Sequence, residues 1–208
     1  MTILDLRLRR EGMLLGLTAV LVAYFLVWLP GPAVGLRFLG FEIGEWIKFL
    51  GVGMARNYFY LPPITLGLML ALWTAVWPTN WKAWLARGTA VAVSLLAFPA
   101  VEAVLSEPPS EWLLRLALIG LVTVVAAAAH WLGRWPHLVW ILIALLGLAG
   151  GLLPGWEYGV VRPLVAQVVA QPIGIGIGVW LNGAGHLLAA ALAMIETSSL
   201  FRLRRTKK

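Results

Sequence analysis

Apolar residues run without alternation through six stretches of this chain, and polar residues gather in the links between them. The stretches cover roughly 12–29, 58–77, 87–105, 112–131, 137–153 and 172–195. Each approaches the roughly 20 residues an α-helix needs to cross a bilayer. In lipid every backbone donor and acceptor must be satisfied within the chain, which leaves only helices and closed barrels. Continuous runs of this length are too long for barrel strands. The pattern predicts an all-α protein, a single integral membrane domain over 1–208, folded as a polytopic bundle of six transmembrane helices. The chain shows no internal repeat that would support an inverted-repeat transporter.

The links are unequal. Two of them, 30–57 and 154–171, are long and fall on the same side of the threaded bundle, the side taken as outer. Within the first, "LGFEIGEWIKFLGVGMARNYFYLPP" spaces Glu42, Glu45 and Lys48 three residues apart, with Phe41, Trp46, Phe49 and Leu50 between or beside them. That spacing predicts a short amphipathic helix lying in the outer interface. Pro62 and Pro63 should offset the start of the second span, and Pro99 should kink the third.

Composition agrees with the pattern. The chain is 61% hydrophobic and 12% charged, against about 45–50% and about 25% in soluble domains; its mean hydropathy is +0.89. The first apolar run follows a basic start, as in a signal peptide, but it is longer than a typical h-region and no small-x-small site follows it, so it reads as a retained span. The formal charge of +7 could suggest a nucleic-acid partner, and its distribution argues otherwise. With both termini in the cytoplasm, 11 of the 16 basic residues lie inside, among them Arg7, Arg9, Arg10, Lys207 and Lys208. Six of the nine acids lie outside. This is the orientation signal of a cell inner (cytoplasmic) membrane protein, and its basic face should attract anionic lipid headgroups. Most of the 12 tryptophans fall near the predicted ends of the spans, as two interfacial belts. The absence of cysteine excludes disulfides, thiolate nucleophiles and thiolate metal sites.

Few polar groups remain for chemistry. The stretch "QPIGIGIGVWLNGAGH" fails the dinucleotide fingerprint twice, because Val179 and Leu181 occupy the positions of its third glycine. In lipid, small residues every fourth position let helices approach closely. Gly174 and Gly178, on a row continuing through Asn182 and His186, are therefore the predicted helix-packing positions, with Pro172 opening the helix. Asn182 and His186 should face protein or water, as an interhelical hydrogen bond or as a proton-relay or ligand-contact pair. His130, His137 and His186 could together suggest haem or metal, but the first two belong to the interface and no metalloprotease spacing exists, so no cofactor and no metal site is expected. On the outer side, Glu42, Glu45, Arg56, Glu157 and Arg162 could form a polar cluster that binds an anionic headgroup or a carboxylate; alternatively Glu45 and Lys48 simply pair on a surface cap. Glu102 or Glu111 with Arg115 reads as a structural anchor.

The layout of six helices with cytoplasmic termini, the outer "EWIK" loop and the late "GAGHLLAAALA" resembles that of the rhomboid intramembrane proteases. That family carries its nucleophile in a G-x-S-G motif on the fourth helix. Here the fourth stretch, "LALIGLVTVVAAAAHW", has no serine, and His186 would stand in the helix of the family's histidine without a nucleophile. Two functional classes stay open. One is a binding or assembly protein that docks a lipid, a partner membrane subunit or a second copy through small-residue helix faces and outer loops. The other is a small carrier, or a membrane enzyme on a lipid-linked or hydrophobic substrate. Because no nucleophile, acid–base pair or metal motif stands out, the residues favour the first, a non-enzymatic role.

Overall fold

A computed structural model describes residues 3–205, and Lys207 and Lys208 of the basic tail lie outside the described residues. The described chain is mostly helical, with eight α-helices and one two-stranded hairpin. Helix α1 covers Ile3–Tyr24 and is followed by strands β1, Val27–Pro30, and β2, Arg37–Leu39. Helix α2 is the short Gly40–Trp46, continued by 3-10 turns at Ile47–Leu50 and Gly53–Tyr60. The remaining helices are α3, Leu61–Trp73, α4, Trp81–Ser94, α5, Val101–Ser106, α6, Pro109–Leu132, α7, Pro136–Val168, and α8, Ile177–Arg205. Among the described residues, four segments are long and apolar enough to cross a membrane: Gly53–Val76, Pro109–Leu132, Pro136–Val168 and Ile177–Leu200.

Several predicted boundaries move, each for a local reason. The first run stops being helical at Tyr24, because Val27–Pro30 pairs with Arg37–Leu39 in an antiparallel hairpin whose register irregularity falls at Trp28. The third run is broken rather than kinked: helix is lost at 98–100, around Pro99, and resumes as α5. The fifth continues far beyond 153 to Val168, so most of the predicted outer loop 154–171 is helix. Proline in a helix removes a hydrogen bond to the residue four back, and α7 carries both Pro154 and Pro163 inside it. Its end is a Schellman turn, with Gln171 N donating to Ala166 O, Ala170 N to Gln167 O, and Ala170 in the left-handed region at φ 52°. The segment 172–176 is not helical, so α8 opens at Ile177 and Pro172 does not start it.

Helix α3 is the hub. It is buried along nearly its whole length and packs against α1 and α7 on one side and α4 and α6 on the other. Helix α8 packs along α1 and α7. These crossings are close because small residues meet: a Cβ on Gly16 would lie 2.9 Å from the Gly185 carbonyl, and one on Gly185 would lie 2.6 Å from the Gly16 carbonyl. In a membrane, contacts of this kind take the place of the hydrophobic drive between helices. Arg9 on α1 hydrogen-bonds Glu196 and Ser199 on α8, so the beginning and the end of the described chain lie at one end of the bundle. At the opposite end, Trp28, Ile43, Ile47, Phe59 and Tyr158 form a separate apolar cluster beneath the hairpin and α2. Trp28 is fully buried there, with Nε1 donating to Ala23 O at 2.9 Å, so it is a core residue and not part of an interfacial belt.

Candidate functional sites

Two groups of polar side chains stand out, one inside the bundle and one at the hairpin end. The interior group belongs to α3, α7 and α8. His186 Nδ1 lies 3.0 Å from the backbone oxygen of Asn182, and Nε2 lies 2.8 Å from Thr65 Oγ1 on α3. A carbonyl can only accept, so Nδ1 carries a proton. In the neutral ring Nε2 is then an acceptor, and it shares the single Thr65 hydroxyl proton with the Leu61 and Pro62 carbonyls, which lie 2.8 and 3.2 Å from Oγ1. Asn182 Nδ2 donates to Gly150 O on α7 at 3.1 Å. That carbonyl would ordinarily take the backbone N–H of residue 154, which is a proline. Asn182 therefore supplies from another helix the donor that Pro154 lacks, the way proline in membrane helices is commonly accommodated. His186 and Asn182 are enclosed, and the absence of a side chain on Gly150 makes room for them: a Cβ there would overlap His186 Nε2 and Thr65 Oγ1. The glycine row that pointed here is only partly helical. Gly178 packs under the Trp28 indole and the Ala23 carbonyl. Gly174, in the segment before α8, is not on that helix, and its carbonyl accepts from Tyr158 Oη at 2.7 Å.

The second group is built where α2, the turn Gly53–Tyr60, the link after α5 and the start of α6 converge. Glu45 on α2 takes a hydrogen bond from Tyr60 Oη, another from Arg115 Nη1 at 3.2 Å, and a longer one from Lys48 Nζ at 3.5 Å. Arg56 donates to Glu107 through Nη2 and sets Nε 3.3 Å from Glu111. Lys48 Nζ also reaches Glu107 at 3.2 Å. The Arg115 guanidinium stacks over the Tyr60 ring, 4.1 Å from its centroid. Three cations and three carboxylates thus form one network. Arg56 and Arg115 are 2% and 1% exposed, so their charges are withdrawn from water and depend on these partners. Burial alone would raise the Glu45 carboxyl, but the hydrogen bonds from Tyr60 and Arg115 and the charges of Arg115 and Arg56 outweigh it and hold it below its usual range. Glu107 is lowered likewise, its burial outweighed by Arg56 and Lys48.

Beside this network lies a groove of about 330 Å³ between the turn Gly53–Tyr60, α3 and α6. Met54, Leu61, Leu114 and Leu118 line it, together with Asn57 and Arg115. Met54 and Leu114 are exposed, so the groove is open to the surroundings. Two of its polar residues have buried atoms without partners: Nε and Nη2 of Arg115 and both side-chain amide atoms of Asn57. At the other end of the bundle, a cavity of about 380 Å³ is lined by Arg9, Arg10, Lys82, Trp73 and Trp77, with Arg10 over the Trp77 ring.

Of the outer residues singled out in the sequence, Glu45 and Arg56 come together. Glu42 does not join them; it caps α2 by accepting from Leu39 N at 2.9 Å. Glu157 is buried on α7 and enters no ion pair among the described residues, while Arg162 Nε donates to Ile173 O. The five residues therefore do not come together as one cluster, and residues 154–168 are helix rather than loop. Arg115 pairs with Glu45 and not with Glu102 or Glu111. Tyr60, Glu107, Asn57 and Thr65 were not anticipated; a hydroxyl or amide inside an apolar run carries no partner information. Arg115 had a usable signal, since an arginine one turn inside a span needs a carboxylate from another element. His130 is exposed with Nδ1 3.5 Å from Thr79 Oγ1, His137 lies at the foot of α7, and His186 is in the interior, so the three histidines do not converge. Among the described residues no three His, Asp or Glu side chains are placed to hold a metal. Comparison of the chain with protein-family models, with curated proteins and with solved structures finds no match.

Proposed function

We propose that this is a six-span protein of the cytoplasmic membrane, with both termini in the cytoplasm, that binds a membrane lipid at its outer end rather than transforming a substrate. The observation that carries the reading is the groove itself, an apolar wall of Met54, Leu61, Leu114 and Leu118 open to the surroundings and bordered by Asn57 and Arg115, both of which hold buried atoms without partners. Buried polar groups in native proteins are rarely left without partners, and each exception calls for an occupant or a role. The interior group at His186 argues the other way. Apart from Asn182 Oδ1, its polar atoms are engaged by Thr65, Asn182 and Gly150 in close packing, which suits a structural joint better than a proton path.

The six crossings rest on the four long apolar helices together with α1 and the broken pair α4–α5. The orientation rests on the basic residues gathered near Arg9 and around Lys82. The cavity lined by Arg9, Arg10 and Lys82 would then face the anionic inner leaflet. The small-residue faces proposed from sequence as docking surfaces for a partner are largely occupied by the chain's own helices, which shifts the weight to the outer groove. Photo-crosslinking in cells tests the reading. A benzophenone amino acid at Leu118, in the groove, should capture a lipid of defined mass, whereas the same probe at Val124, exposed lower on α6, should capture the bulk lipid mixture. Capture of the same mixture at both positions, or of a protein at Leu118, would overturn it.

A further inference from the structure

We infer that the cavity at the end of the bundle away from the hairpin binds a phosphate ester, its phosphate shared between Arg10 on α1 and Lys82 on α4. The inference uses residues remote from the outer groove, so it stands or falls independently of the lipid-binding reading above.

Position favours a ligand of the membrane surface. Val76 is the last residue of the apolar segment Gly53–Val76, and Val76 and Trp77 both line this cavity of about 380 Å³. The cavity therefore lies where a spanning helix leaves the hydrocarbon, at the level of bilayer headgroups, where tryptophan rings are also favoured. Its lining reaches inward to Met13, Trp73 and Trp140, all of them buried, so it is a cleft into the bundle and not a flat basic patch.

The donors are accessible and the acceptors few. Arg10, Asn80 and Lys82 line the cavity and are exposed. Neither Arg10 nor Lys82 enters an ion pair among the described residues. The one carboxylate in the lining, Glu196, is taken by Arg9, whose Nη1 donates to it at 3.2 Å and to Ser199 Oγ at 3.1 Å. Asn80 Oδ1 accepts from Ala83 N at 3.1 Å, which leaves the amide nitrogen of that side chain as a donor. Arg10 is placed as well as charged: its guanidinium lies 5.5 Å from the centroid of the Trp77 ring, a contact that positions a cation without neutralising it.

A ligand for this lining must bring negative charge and several acceptor oxygens. A phosphate sets its oxygens around a tetrahedron, so cations standing on different helices can share it, and a guanidinium can grip two of the oxygens at once. Basic pockets between membrane helices take phospholipid heads on these grounds. The apolar floor of Met13, Trp73 and Leu192 favours an ester with an apolar body, as a phospholipid has.

The test separates a bilayer lipid from a soluble phosphate ester. The detergent-purified full chain is titrated with dioleoylphosphatidylglycerol, with dioleoylglycerol, which keeps the tails and lacks the phosphate, and with glycerol 3-phosphate, which keeps the phosphate and lacks the tails. Complexes are counted by native mass spectrometry. The phospholipid should bind at least tenfold more tightly than dioleoylglycerol. Arg10→Gln and Lys82→Gln should each weaken it at least threefold, and the double variant at least tenfold, with melting temperatures unchanged because both residues are exposed. Arg134→Gln is the control. It removes an exposed cation at the same end but outside the cavity, next to Gly133, which packs on Ala75; it should change the affinity less than twofold. Glycerol 3-phosphate binding as tightly as the phospholipid, with the same losses in the variants, supports the phosphate site and assigns it to a soluble ester. Dioleoylglycerol binding as tightly as the phospholipid overturns the inference. So does an Arg134→Gln loss equal to that of Lys82→Gln, which would leave only a diffuse attraction of the basic end for anions.

Discussion

Replacing Asn182 should cost stability only while residue 154 is a proline. Asn182 Nδ2 donates to the Gly150 carbonyl at 3.1 Å, and Pro154 is the residue whose backbone N–H would otherwise fill that place. In Asn182→Ala the carbonyl is left unpaired in the bundle interior. Leaving a buried acceptor unsatisfied costs about 1–3 kcal/mol, although interhelical hydrogen bonds in membranes average about 0.6 kcal/mol with a maximum of about 1.7. Asn182 Oδ1 is itself buried without a partner. Deleting the side chain relieves that, which places the expected net cost toward the lower part of the range. Pro154→Ala restores a backbone donor on α7 itself. In that background Asn182→Ala removes a redundant bond, so a double-mutant cycle should show a coupling of about 0.6–1.7 kcal/mol. The assay is equilibrium unfolding of the four proteins in mixed micelles with increasing dodecyl sulfate, followed by far-UV circular dichroism. A cost for Asn182→Ala that is the same with Pro154 in place as in the Pro154→Ala background would refute the argument that the asparagine stands in for the missing amide.

Other expectations follow from the same geometry. Gly150→Ala would place a methyl on His186 Nε2 and Thr65 Oγ1 and should lower stability by about 1–3 kcal/mol by overpacking, whereas Gly120→Ala, with open space around it, should be neutral or slightly stabilising; equal effects in the same unfolding assay would contradict the packing. The carboxyls of Glu45 and Glu107 titrate below their usual range in the folded protein, so their stabilisation is complete above the ordinary carboxylate pKa of about 4.3 and is lost as pH falls through their lower folded values. The melting temperature should therefore drop on acidification below about pH 5, and Glu45→Gln, less stable at neutral pH, should show a shallower drop; parallel profiles would count against the network. Reporter fusions at Lys208 and in the link 106–108 should give opposite topology signals, and matching signals would rule out the six-span threading.

The helical class and membrane character of this chain were legible in its sequence because both are sums over many residues. A run of twenty apolar side chains has only one way to satisfy its backbone in lipid, whatever surrounds it. The short helix α2 was legible too, since Glu42 and Glu45 stand three residues apart as on one side of a helix, although Lys48, which continues that spacing, falls in the 3-10 turn Ile47–Leu50. His186 and Asn182 could be placed in the interior because a polar group amid apolar neighbours must turn inward. Tertiary structure alone decided which partners those groups take. Whether Arg115 meets Glu111 four residues away or Glu45 from α2 depends on where α2 and the turn Gly53–Tyr60 come to rest. Long-range placement also bears on the expected loop after 153, which is helix: the carbonyl that Pro154 leaves bare is satisfied from α8. Asn182 is 28 residues further along the chain than Pro154, and only the crossing of α7 and α8 brings its amide to that carbonyl.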